Sequence, residues 1–104
     1  MELCLVYMTA SSTEEAARLA EALVGENLAA CVNVIDGMTS WYRWEGAVQN
    51  GREVVVLAKT RAALVDALTA RVKALHSYSV PCVVALPIAG GNPDFLRWIG
   101  EETK

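Results

Sequence analysis

The stretch that decides the fold is Leu28–Gly46, LAACVNVIDGMTSWYRWEG. Its first half is apolar apart from Asn33, and its second half is rich in aromatic residues, which suit a pleated, half-buried surface. Asp36 and Gly37 separate the two halves. The stretch is therefore either two strands joined by a tight Asp-Gly turn or one long strand with a bulge, and the composition does not choose between them.

The segment before this stretch predicts a strand and a helix. Leu3–Met8 (LCLVYM) is wholly apolar and indicates a buried strand. Ser12 and Glu15 have the spacing of a capping box, in which the glutamate reaches back to the amide of the N-cap residue. The helix that follows carries one apolar stripe, at Ala16, Leu19, Ala20 and Leu23. It should end near residues 25–27, where Gly25 and Asn27 both suit a left-handed cap.

The segment after Gly46 predicts a further strand and helix. Val48–Gly51 indicates a short polar turn, and Glu53–Lys59 (EVVVLAK) indicates the third strand. Thr60 is the candidate N-cap of the second helix. The apolar stripe of that helix falls at Leu64, Leu68, Val72 and Leu75. The helix should stop between His76 and Ser79, because the residue before Pro81 avoids helical dihedral angles.

A fourth strand and a last helix complete the chain. Cys82–Ile88 (CVVALPI) indicates the strand, and Pro87 predicts that its end lies at a sheet edge. Asn92-Pro93-Asp94 is typical of a helix start, with a capping side chain, a proline in the first turn and an acid near the helix dipole. The last helix places Phe95, Trp98 and Ile99 on one face.

This order predicts an α+β fold of the ferredoxin-like class. A βαββαβ arrangement forms an antiparallel sheet with helices on one face, here with an additional C-terminal helix, in a single domain over residues 1–104. A sheet with one wet face should alternate apolar and polar residues along each strand, and these four strands do not alternate. We therefore expect other copies of the chain to bury the second face, which makes the protein an obligate oligomer.

The composition excludes several classes of protein. A hydrophobic content of 54% with 20% charged residues excludes disorder. The net charge of -3 speaks against nucleic acid as a partner. No apolar run approaches the roughly 18 residues of a membrane span, and no secretory signal is visible, so we expect a soluble intracellular protein without a membrane partner. The three cysteines are far apart and form no CxxC, which argues against a disulfide framework.

Five local patterns together resemble the CutA divalent-cation-tolerance family. They are LAACVN at 28–33, SWYRWEG at 40–46, the Lys59-Thr60 pair, HSYSVP at 76–81, and the Phe95/Trp98/Ile99 end. The resemblance covers nearly the whole chain. It implies a ferredoxin-like fold, a tight homotrimer with sheets inward and helices outward, and a cytoplasmic location. It also implies a role in tolerance to copper and other divalent metals.

The chain departs from the family pattern at two positions. The family usually has proline where this chain has Ser77, and glutamate where this chain has Cys82. The second departure puts in doubt any site that relies on that carboxylate. A thiol in its place would favour soft ions such as Cu(I) over hard ones.

The candidate metal ligands are His76, Cys31 and Cys82, with copper or zinc as the ion and no metal required for folding. A tetrahedral site needs about four ligands, so the only histidine would need thiol partners or carboxylates from a neighbouring subunit. The alternative interpretation is structural. His76 then interacts with the end of its helix, and the cysteines are core residues.

The aromatic residues of the deciding stretch also allow two interpretations. Tyr42 and Trp44 share one face of a strand, because they are two residues apart. They fill an interface, where aromatic residues are enriched, or they form walls of an inter-subunit pocket with Lys59, Tyr78 and Trp98. In such a pocket Lys59 would be the anchor for an anion.

Three classes of function compete. The favoured one is a homotrimeric metal-tolerance protein that binds ions without catalysis. The second is a trimer like the PII signalling proteins, which bind a small ligand between subunits. Those proteins carry a long loop between the second and third strands, and this chain does not. The third is an acylphosphatase-like enzyme, which needs a glycine-rich anion cradle with an arginine after the first strand. Residues 9–12 (TASS) supply neither, so we expect no enzymatic activity.

Overall fold

The computed structural model describes all residues from 1 to 104. The elements follow in the order β1 (Leu3–Ala10), α1 (Thr13–Gly25), β2 (Cys31–Trp44), β3 (Ala47–Arg61), a short 3-10 turn (Ala62–Leu64), α2 (Val65–Leu75), β4 (Val83–Pro87) and α3 (Pro93–Glu101). The strands form one sheet in the order β2-β3-β1-β4, and all neighbours are antiparallel. This is the predicted α+β ferredoxin-like fold, with Pro87 on an edge strand as expected.

The deciding stretch forms one long strand with a bulge. Its pairing with β3 shifts register between Ile35 and Met38. Gly37 lies inside this shift with a φ of 90°, a conformation that glycine adopts without steric cost. The Asp-Gly pair therefore bends a continuous strand and does not end it.

The turn between β2 and β3 lies at Glu45 and Gly46, where φ is 51° and 78°. Two successive residues with positive φ are typical of the tight hairpin turns whose twist matches that of the flanking strands. The prediction of a turn at Val48–Gly51 is therefore wrong, because those polar residues lie inside β3.

The β2–β3 hairpin protrudes from the sheet. β1 pairs with β3 only over Val54–Arg61, so the preceding residues of β3 pair with β2 alone. We call residues 38–53 the arm. It contributes to the elongated shape of the chain, which measures 44 × 25 × 23 Å.

Two of the predicted helix starts differ in the structure. The Ser12 hydroxyl accepts a hydrogen bond from the Glu15 amide at 3.1 Å, as predicted, but the Glu15 carboxylate binds Ser11 and does not return to Ser12. Thr60 is not a cap: it lies inside β3, and its buried hydroxyl oxygen has no hydrogen-bond partner. The chain continues as strand through Arg61 because β1 pairs with it to that point.

Helices α1 and α2 cover one face of the sheet. The core between them is formed by Val6, Met8, Leu19, Leu23, Val56, Ala58, Leu68 and Val72, all fully buried. The opposite face, which we call the open face, presents Leu5, Tyr7, Cys31, Asn33, Ile35, Val55, Leu57, Lys59, Val84 and Leu86 by strand alternation. Ile35 and Val84 are each 53% exposed there. None of the three helices has the length and apolar character needed to cross a membrane.

Candidate functional site

A cavity of about 640 Å³ lies where the arm meets the loop between α2 and β4. Three of the five residues predicted for a pocket, Tyr42, Trp44 and Tyr78, line it. Tyr42 and Trp44 project to the same side because they are alternate residues of β2. The cavity is formed by residues of one chain, and its aromatic walls are partly exposed.

The other two predicted pocket residues lie elsewhere. Lys59 is on the open face but outside the cavity. Its ammonium group donates to the side-chain Oδ1 of Asn33 at 2.6 Å and lies 3.5 Å from the Cys31 sulfur. Trp98 is on α3 and packs against Phe95 with ring centroids 5.4 Å apart. The cavity therefore lacks the cation that the sequence suggested as an anion anchor.

The cavity contains an acidic side chain instead of the expected lysine. Glu53 lines the cavity, and its carboxylate accepts a hydrogen bond from the Tyr78 hydroxyl at 3.0 Å. Burial, this hydrogen bond and the charges of nearby acidic groups raise the pKa of Tyr78 to about 12. Burial and the charge of Glu53 also raise the pKa of the Cys82 thiol. Glu53 was not identified as a site residue from the sequence. The signal that could have revealed it is a single acidic residue at the start of an apolar strand.

His76 lies behind the cavity, with both ring nitrogens in hydrogen bonds. The Tyr78 amide donates to Nδ1 at 3.0 Å, and Nε2 lies 2.8 Å from the carbonyl oxygen of Thr9. Because an amide only donates, Nδ1 carries no hydrogen and Nε2 donates to Thr9. The imidazole is fully buried, so it fixes the loop that carries Tyr78 and presents no free nitrogen to an ion.

Glu15 is the second functional candidate that the sequence did not reveal. Its buried carboxylate accepts hydrogen bonds from the amide and hydroxyl of Ser11, both at 2.9 Å, and from the amide of Ser77 at 2.7 Å. Burial by itself raises the pKa of Glu15, but the hydrogen bonds from Ser11 and Ser77 outweigh it and lower the pKa to about 2. Glu15 thus joins the start of α1 to the loop that walls the cavity.

The three candidate metal ligands do not meet within one chain. Cys31 is opposite Lys59, which pairs with Leu5, whereas Cys82 lines the cavity with Thr9. Four residues along β1 separate these two levels, which is about 13 Å. No group of three or more histidine, cysteine, aspartate or glutamate side chains is arranged to hold a metal ion.

A larger cavity of about 800 Å³ lies between the N-terminus, the end of β4 and α3. None of the predicted site residues lines it. Its Arg61 guanidinium is already bound to the Gly100 carbonyl oxygen and to the Thr103 hydroxyl. This cavity therefore belongs to the packing of α3, and the candidate site is the smaller cavity at the arm.

Comparison with known proteins places this geometry in a family. The family described as CutA1 divalent ion tolerance protein matches residues 4–102. The divalent-cation tolerance protein CutA of Thermus thermophilus is 50% identical over 99 residues, which are 95% of this chain and 96% of the relative. The crystal structure of CutA1 from Oryza sativa superposes with a TM-score of 0.97 at 47% identity, covering 100% of this chain and 95% of that one.

Some relatives are longer than this chain. The chloroplastic CutA 1 protein of rice is 49% identical over 100 residues, which are 96% of this chain but 56% of the relative. The chain therefore spans about half the length of this relative and nearly all of the Thermus one.

Proposed function

The chain belongs to the CutA1 divalent ion tolerance family, and we propose that it acts in metal tolerance as a homotrimer that binds copper or zinc without catalysis. One observation carries this proposal. The open face, which nothing in the chain covers, holds both apolar residues and the Cys31 thiol. Cys82 lies at the margin of this face, in the cavity.

The trimer is supported by the character of the open face. Ile35, Val84 and Leu86 are between 47% and 53% exposed on it, and together they form an apolar surface of the kind that marks an interface. The arm adds Trp41, 71% exposed, and Trp44, 46% exposed. A heterologous contact that closes by rotation would bury these surfaces in every copy, and the family resemblance implies three copies.

Metal binding is supported by the two thiols, which are soft ligands suited to Cu(I) or Zn(II). Because Cys31 and Cys82 are distant within one chain, the proposed sites lie between copies. His76 would join such a site only by giving up its bond to Thr9 or to the Tyr78 amide. The thiols are therefore the main ligands in this proposal.

Native mass spectrometry of the full chain, with and without Cu(I) or Zn(II), tests both parts. We expect a trimer mass and metal uptake in multiples of three. The Cys31→Ser, Cys82→Ser double variant should lose this uptake, while His76→Ala should reduce it less. The matched control is Cys4→Ala, because Cys4 is the thiol buried in the core. A monomer, or uptake unchanged in the double variant, would contradict the proposal.

A small-ligand trimer like the PII proteins is the second candidate, and the aromatic cavity favours it. The two-residue turn at Glu45 and Gly46 leaves no long loop between β2 and β3, so the effector mechanism of the PII proteins is not available to this chain. In this candidate the cavity receives the ligand and the neighbouring copies close it.

The cytoplasmic location stays a prediction. The rice relative is named a chloroplastic protein, and the solved relative from Archaeoglobus fulgidus is titled a periplasmic one, so relatives are assigned to different compartments. Fractionation of cells that produce the full protein, with detection by antibody, tests the location directly.

A further inference from the structure

The cavity at the arm has the composition of an aromatic box with one charge. Its aromatic walls are Tyr7, Trp41, Tyr42, Trp44 and Tyr78. Its remaining lining is Thr9, Ser40, Gln49, Glu53, Ser79, Val80 and Cys82, and therefore includes no lysine, arginine or histidine. Glu53 is the only carboxylate of the lining. Burial together with Glu53 raises the pKa of both Tyr78 and Cys82, which favours their neutral forms.

The charge of Glu53 has no partner in the chain. The ion pairs of the structure are Arg71–Glu26 and Arg97–Asp94, and neither includes Glu53. Lys59, the cation of the open face, is bound to Asn33. The only side-chain hydrogen bond to Glu53 comes from Tyr78, a neutral donor. A partly buried carboxylate without a cation favours a cationic ligand, which would supply the missing charge.

From these two observations we infer that the cavity binds a small organic ammonium ion, with Glu53 pairing its charge and Tyr42 and Trp44 contacting it through their ring faces. Aromatic faces attract cations, most of all poorly hydrated ones that lose little on leaving water. The volume of about 640 Å³ is within the usual range for a small-molecule site. This proposal deepens the small-ligand candidate above and does not depend on metal binding.

Two other classes of ligand fit the cavity less well. An anion would be repelled by Glu53 and would find no basic side chain in the lining. A metal ion needs about four closely placed ligands, and no group of three is available in the chain. An organic ammonium ion needs one carboxylate and apolar aromatic surface, which is what the lining contains.

Choline and its uncharged isostere 3,3-dimethylbutan-1-ol test the inference, because they share a shape and differ in charge. Each is titrated into the assembled full-length protein, and binding is followed by calorimetry and by the fluorescence of the cavity tryptophans. We expect choline to bind about tenfold more tightly than the alcohol. Glu53→Gln keeps an acceptor for Tyr78 and should weaken choline binding about tenfold without changing that of the alcohol.

Matched variants separate recognition from folding. Glu21→Gln makes the same charge change on the exposed surface of α1 and should leave choline binding unchanged. Tyr42→Phe keeps the ring and should bind choline like the parent protein, whereas Tyr42→Leu keeps apolar bulk without the ring and should bind it more weakly. Circular dichroism and sedimentation confirm that each variant retains its fold and assembly.

Several results would overturn the inference. Equal affinity for choline and the alcohol would mean that the cavity is merely apolar, and an unchanged Glu53→Gln variant would mean that the charge plays no part. Binding of neither probe would refute the site. Displacement of choline by Zn(II), lost in Glu53→Gln, would make the cavity a metal site. The first three results leave the separate measurement of trimer mass and metal uptake unaffected, whereas the Zn(II) result would add the cavity to the metal sites counted there.

Discussion

The two faces of the sheet are built from the same strands and differ in what completes them. On the helix-covered face, Val6, Met8 and Val56 are fully buried by α1 and α2. On the open face, Ile35 and Val84 are more than half exposed. Alternate residues of a strand point to opposite sides, so strands that are apolar at every position form a sheet with two apolar faces. The helices α1 and α2 cover only one of these faces. The open face is therefore the part of the sheet that the chain itself leaves uncovered.

A lysine placed on the open face should have the largest effect. In an isolated chain, Ile35→Lys alters a residue that is 53% exposed, and a surface change costs within about 0.5 kcal/mol. If copies pack against this face, the same change buries a charge in each contact, and we expect the trimer to dissociate. Sedimentation equilibrium at micromolar concentration measures the outcome.

The matched control for this prediction lies on the other side of the molecule. Val24 on α1 is 41% exposed and is also β-branched, so Val24→Lys makes the same chemical change away from the open face. It should leave the assembly intact. If both variants dissociate, or if neither does, the open face does not have the special role in assembly that we predict for it.

The pH dependence of stability tests the buried carboxylate at the start of α1. The pKa of Glu15 is about 2 in the fold against an ordinary value of 4.5, so the folded state favours the ionised form. The resulting stabilisation is fully present above pH 4.5 and is lost as the pH falls from 4.5 toward 2. It amounts to about 3 kcal/mol. Urea denaturation between pH 2 and pH 7 measures it, and in Glu15→Gln this part of the profile should be absent.

At neutral pH, Glu15→Gln should cost about 2 kcal/mol, because it removes charge-assisted hydrogen bonds and turns an amide group toward donors. Its control is Glu14→Gln, one residue earlier on the exposed side of α1, which should change the free energy of unfolding little. Glu15→Gln should also increase hydrogen exchange at the Tyr78 amide, since the carboxylate binds Ser77 beside it. An unchanged exchange rate there would show that Glu15 does not hold this loop.

The fold was largely predictable from the sequence because apolar periodicity and helix caps are local signals. The two misplaced features have physical causes. The polarity of the segment Val48–Gly51 predicts a turn there, yet the twist of a hairpin demands positive φ, which Glu45 and Gly46 adopt. Thr60 has the side chain of a cap, but pairing with β1 keeps the chain extended through it.

The site was less predictable, because its parts meet only through the fold. The pattern of β2 placed Tyr42 and Trp44 on one side, and the structure adds Tyr78 to them. Nothing local indicates that Glu53 faces the Tyr78 hydroxyl, 25 residues away along the chain. The two hydrogen bonds of His76 likewise depend on Thr9, which belongs to another strand.

The smallest expected effect comes from one substitution made in two places. Gly46 at the tip of the arm has a φ of 78°, so Gly46→Ala should cost about 1 kcal/mol through backbone strain. Gly25 ends α1 without a positive φ, and no atom lies within 4 Å of a Cβ added there. Gly25→Ala should therefore stabilise the protein by up to about 1 kcal/mol, because alanine loses less chain entropy on folding. Thermal unfolding of the two variants measures the difference. Opposite signs would show that the turn holds Gly46 at its positive φ. A neutral Gly46→Ala would mean that the tip relaxes and that contacts along the arm fix its position.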